Sequence, residues 1–146
     1  MGARRPRLFS FSREIEVSNL EGWAQPNELP LLYGVIDAFL RIAKTRKLAD
    51  EDLNVVLQAV EHPSAGVQAL GTARLAVLTH YFESARTAYL AAFERSGPGL
   101  QLTLVGHLPN TIDEVATSVL AVATASQDAS VARLAERMGR VIDVEG

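Results

Sequence analysis

Apolar residues recur at helical spacing over most of this chain and at strand-like spacing in two short stretches. Leu32, Val35, Ile36, Phe39, Leu40 and Ala43 follow the i, i+3, i+4, i+7 rule with Asp37, Arg41 and Lys44 opposite, which predicts a helix. Pro30 falls in its first turn, where a missing amide proton costs little. Asp50 is placed to cap a second helix through Leu53, Val56, Leu57 and Val60, and His62-Pro63 stops it because the residue before proline avoids the helical basin. Ser64 is placed to cap a third helix carrying Val67, Leu70, Val77, Leu78, Tyr81 and Phe82. A fourth runs from about Ser84 to Arg95, where Gly97-Pro98-Gly99 breaks the chain. Thr111 and Glu114 form a capping box ahead of Ile112, Val115, Val119, Leu120 and Val122, and Asp128 precedes a last helix through Val131, Leu134, Ala135 and Met138.

Two stretches resist this pattern. Leu100, Leu102 and Leu104 alternate like a strand, while Leu100, Leu104 and Leu108 lie one helical turn apart, so periodicity alone leaves Leu100–Leu108 open. Phe9, Phe11, Ile15 and Val17 roughly alternate with polar residues. Residues 1–27 are therefore expected to be an N-terminal arm, partly extended, with Leu20 and Trp23 against the first helix. Residues 28–146 are expected to be a helical domain. The predicted class is all-α.

The helices also repeat. His62-Pro63-Ser64-Ala65-Gly66-Val67, Gly97-Pro98-Gly99-Leu100 and Gln127-Asp128-Ala129-Ser130-Val131 each place a breaker before an apolar residue that opens a helix, and the anchors Val67, Leu100 and Val131 are 33 and 31 residues apart. An apolar helix precedes each, so the unit is a helical hairpin that hides its oily face only against a neighbour. These residues resemble HEAT-type (armadillo-like) repeats over roughly residues 50–142, with Val56–Leu78 and Val119–Val141 as two units and Leu100–Asn110 as the second helix of the unit between them. The resemblance tips Leu100–Leu108 towards helix. It implies a short right-handed solenoid of about three stacked hairpins acting as a scaffold for protein–protein contact. The chain departs from the family where a basic residue usually follows the anchor, having Gln68, Gln101 and Ala132. Only Asp128 keeps the turn aspartate, so the Asp-Arg ladder between units is largely missing.

Composition narrows function mainly by exclusion. At 146 residues the chain is one domain's worth of polymer, and 14 basic against 17 acidic residues deny it the positive field of a dedicated nucleic-acid binder. Zero cysteines exclude thiolate zinc sites and disulfides and make a reducing cytoplasm the default compartment. Ser10, Ser12, Arg13, Glu14 and Glu16 interrupt any signal-peptide core, Pro6 spoils a myristoylation motif, and no run of 18 apolar residues is present. Twelve arginines against two lysines hint at a GC-rich bacterial genome.

Catalytic chemistry finds no constellation. His62, His80 and His107 stand apart, with no second histidine four residues away and no HExxH, so each is read as structural. Ser64, Ser84 and Ser130 are read as helix-start residues, and Gly97 and Gly99 flank a proline that lacks the amide a phosphate cradle uses. Asp50, Glu51 and Asp52 suit a helix N-terminus through the macrodipole. Neither an enzyme nor a cofactor or metal site is expected. Arg74 falls between Leu70 and Leu78 on the helical wheel, so it either snorkels to water or forms a structural ion pair between stacked repeats. Arg133, Arg137 and Arg140 make a mostly basic face and are the candidate partner surface. A non-catalytic adaptor follows as the expected function, with another protein as partner and a homodimer favoured by a mean hydropathy of +0.11. The alternative is an acidic-surface or nucleic-acid binder using the arm Arg4, Arg5, Arg7 and Arg13.

Overall fold

The computed structural model describes residues 13–145. Among the described residues the protein is all-α: α1 (Arg13–Glu21), α2 (Leu29–Thr45), α3 (Asp50–Val60), α4 (Ala65–Leu78), α5 (Glu83–Arg95), α6 (Pro98–Gly106), a 3-10 turn (Leu108–Asn110), α7 (Asp113–Ala123) and α8 (Ala129–Glu145), with no strand. Leu100–Leu108 is therefore helical up to Gly106 and then tightens into the 3-10 turn. Pro98 opens α6 from an extended Gly97, which places its missing N–H where no helical bond is owed.

The described residues form two compact units, 13–75 and 76–145, with the division inside the last turn of α4. In the first unit α1 packs on α2 and α2 on α3. Helix α2 carries the core, because Leu32, Val35, Ile36, Ala38, Phe39 and Ile42 are all buried on one stripe. Each large side chain among them stabilises the fold by about 1.5–3 kcal/mol relative to exposure. Arg46 ends α2 in the left-handed conformation, φ 63°, and its N–H bonds to the Ile42 carbonyl. Helices α3 and α4 meet backbone to backbone at Gly71, where a Cβ would lie 2.5 Å from the Val60 nitrogen and 2.7 Å from the Ala59 Cβ. Only hydrogen fits there. In the second unit α5 touches α6 and α7, while α8 touches α6 and α7. Tyr89, Ala92 and Phe93 of α5, Leu104 and Val105 of α6, Val115 and Val119 of α7, and Val131 and Ala135 of α8 are buried there.

Four expectations are corrected. Residues 13–21 are helical rather than extended, because Val17 and Leu20 at i, i+3 put Leu20 into the core and Glu16 opposite Arg74. Phe9 and Phe11 lie outside the described residues. Asp50 is the first residue of α3 and not its cap; Ala49 holds that position without a side-chain bond, and Asp50, Glu51 and Asp52 act through their charge on the first turn. The Thr111–Glu114 box does not form, since the Thr111 hydroxyl turns back to the Leu108 carbonyl at 2.7 Å. Helix α4 also stops at Leu78, short of Tyr81 and Phe82. The Thr79 hydroxyl donates to the Ala76 carbonyl at 2.6 Å, a local bond that competes with continued helix. Asp128 does cap α8: its Oδ1 accepts the N–H groups of Ser130 and Val131, both at 3.0 Å.

Candidate functional site

Polar side chains gather at three junctions and on one exposed face. The first junction joins the α1–α2 and α3–α4 connections. Ser64, directly before α4, donates its N–H to Nδ1 of His62 at 3.0 Å and its hydroxyl to the Glu28 carboxylate, which also accepts the Gln25 N–H at 2.9 Å. These bonds, the Ser64 hydroxyl foremost, hold the Glu28 carboxyl below its ordinary value of 4.5. Serine, histidine and carboxylate are the residue types of a hydrolytic triad, but the wiring differs. The imidazole nitrogen receives a backbone proton, and the hydroxyl proton that a nucleophile gives to histidine goes to Glu28 instead. This is a helix-start node. Trp23, 45% exposed, lies over the adjoining Gly66, whose absent Cβ would sit 2.7 Å from the indole ring.

Arg74 makes the second junction. Its Nη2 donates to Glu16 Oε2 at 2.5 Å, and its guanidinium carbon sits 5.2 Å from the centroid of the Phe39 ring. Arg74 does form an ion pair, but its partner is Glu16 of α1, in the stretch read as an extended arm, and not a carboxylate of a stacked repeat; both side chains are about four-fifths buried. A second pair ties α2 to α3. Nε and Nη2 of Arg41 donate to one oxygen of the buried Asp52, at 3.0 and 2.7 Å, and this bond raises the Arg41 pKa further.

The third junction lies in the second unit. Thr79 is fully buried and its oxygen works twice, donating to Ala76 O and accepting the Ile112 N–H at 3.0 Å, the donor left over at the start of α7. His80 Nε2 donates to the Asn110 carbonyl at 2.9 Å and Arg86 Nε to the Thr79 carbonyl at 2.7 Å. Nearby, the buried Tyr89 hydroxyl donates to Leu104 O in the last turn of α6, and burial pushes its ionisation well above the ordinary range. His107 donates through Nδ1 to the Thr103 carbonyl. All three histidines thus hold chain turns.

Arg133, Arg137 and Arg140 are exposed along one side of α8, spanning about 10 Å of helix axis, with Glu136 and Asp143 beside them. Val141, 37% exposed, lies one turn beyond Arg137, and Val122 of α7 is 55% exposed. Arg13 opens α1, and Arg4, Arg5 and Arg7 lie outside the described residues. No family model, curated protein or solved structure matches the chain. Among the described residues no group of three His, Asp or Glu could hold a metal ion, and no helix is long and apolar enough to cross a membrane.

The roles of Glu16, Glu28, Thr79 and Tyr89 escaped sequence reading, and Trp23, expected against the first helix, lies over Gly66 of α4. One signal was present for Thr79: Thr45, Thr79 and Thr111 stand 34 and 32 residues apart, and each hydroxyl donates to a carbonyl three or four residues earlier.

Proposed function

We propose that the chain is a non-catalytic protein-interaction module, a short right-handed solenoid of stacked helical hairpins of the HEAT type, which binds an acidic protein surface through α8. The observation that carries this reading is the exposed Arg133, Arg137 and Arg140 stripe on a helix whose opposite face, Val131 and Ala135, is anchored in the core. A rigid row of guanidinium groups suits carboxylates on a partner and steers its approach. Recurrence supports the solenoid: Val67, Leu100 and Val131 are each the third residue of their helix, in α4, α6 and α8. Within the second unit α5 neighbours α7 and α6 neighbours α8, the pairing expected when one hairpin lies on the next. The absence of cysteine suits a reducing, cytoplasmic setting.

Replacing all three arginines by glutamate, R133E/R137E/R140E, tests the surface. Partners captured by the full chain should be lost from this variant while its circular dichroism stays unchanged. Retention of every partner by the variant, or their loss only when residues 1–13 are deleted, would transfer the role to the basic arm. Self-association through the patches at Val122 and Val141 belongs to the same reading, and light scattering that gives a monomer at high concentration would remove it.

A further inference from the structure

Helix α1 is held differently from its neighbours. It has nine residues, too few to keep helical order in water alone, so its structure depends on what it lies against. Among its described side chains Leu20 is the fully buried one, whereas α2 buries six residues. Three further ties among the described side chains are polar or peripheral, and Glu14 also has a partner. Glu16 bonds to Arg74, Glu21 accepts the Tyr33 hydroxyl proton at 3.0 Å, and Trp23, just past the helix, rests on Gly66. Two of these ties place a carboxylate on α1 against a donor on α2 or α4. Beneath them the Arg74 guanidinium already faces the Phe39 ring, so the donor side is ordered from below.

We propose that α1 is a charge-latched strap: residues 13–24 leave the first unit and unfold as one piece while α2 and α3 stay folded, and the Glu16–Arg74 pair sets how often this happens. Opening uncovers a cationic patch backed by Phe39 that the closed form keeps from solvent. The device is independent of the reading given for α8. Salt weakens the latch because it screens a pair that retains some solvent contact.

The chain supplies its own probe, since Trp23 is its single tryptophan and sits at the end of the strap. Acrylamide quenching of Trp23 should rise with salt while ellipticity at 222 nm changes little. Amides of residues 17–24 should exchange with deuterium faster than those of α2. Glu16→Gln should speed that exchange by about three- to fivefold, and the charge swap Glu16→Arg with Arg74→Glu should restore it. Equal protection of α1 and α2, or exchange in α1 that ignores both substitutions, would overturn the proposal. So would a Glu16→Gln chain that loses helical signal throughout, because the strap would then be inseparable from the fold.

Discussion

Two threonines of this chain are buried to the same degree and do opposite things. Thr72 has a side-chain oxygen with no hydrogen-bond partner, whereas the Thr79 oxygen serves a donor and an acceptor at once. An unpaired buried hydroxyl has given up water for nothing, so Thr72→Val should be neutral or stabilising by up to about 1 kcal/mol. Thr79→Val removes the same atom but strands the Ile112 N–H, and should destabilise by about 1–3 kcal/mol. Urea melts of the two variants under one condition make the comparison, and equal effects would show that hydroxyl wiring is not what distinguishes the sites. The sequence could not tell these residues apart. Both sit in the same apolar neighbourhood, and which threonine meets a partner depends on a segment more than 30 positions away.

At the scale of elements much more was legible. The 3.6-residue period located α2, α3, α7 and α8, and the breakers His62-Pro63 and Gly97-Pro98-Gly99 marked where helices end, because proline and the residue before it act locally. Local signals failed where a distant partner decides. Thr111 has the composition of a helix cap, yet the amide following it is taken by Thr79. Residues 13–21 alternate weakly, yet Arg74 and the core draw them into a helix. Gly71 is a third case, an ordinary glycine by sequence and the contact point of two backbones in space. Gly71→Ala improves helix propensity but pushes a methyl group into the main chain of α3, and the clash should prevail with a net loss of about 1–3 kcal/mol. Thermal melting of Gly71→Ala beside Gly139→Ala separates the terms, since a Cβ on Gly139 meets nothing within 4 Å. Gly139→Ala should gain stability where Gly71→Ala loses it.

For the whole molecule the charges are best read through pH. Glu28 prefers its ionised form in the folded chain, so in the unfolded chain it takes up a proton at higher pH. Its contribution is complete above 4.5 and is lost as pH falls through the lower folded value. Glu28→Gln should therefore lower the melting temperature at neutral pH, and the gap from the parent chain should close as the solution is acidified below pH 4.5. A gap that stays constant would place the effect in shape rather than charge. The candidate partner face was legible for a related reason: an arginine stripe on a helical wheel needs no knowledge of neighbours, whereas Glu28, Ser64 and His62 converge only after two connections fold.

The Thr79 oxygen closes the base of the segment that contains α5 and α6, and the far tip of that segment is Gly97-Pro98-Gly99, exposed, with open space around both glycines. A peptide bond severed at the tip would leave Tyr89 gripping the Leu104 carbonyl from one side of the cut to the other. That hydrogen bond ties α5 to α6 without using the covalent connection between them.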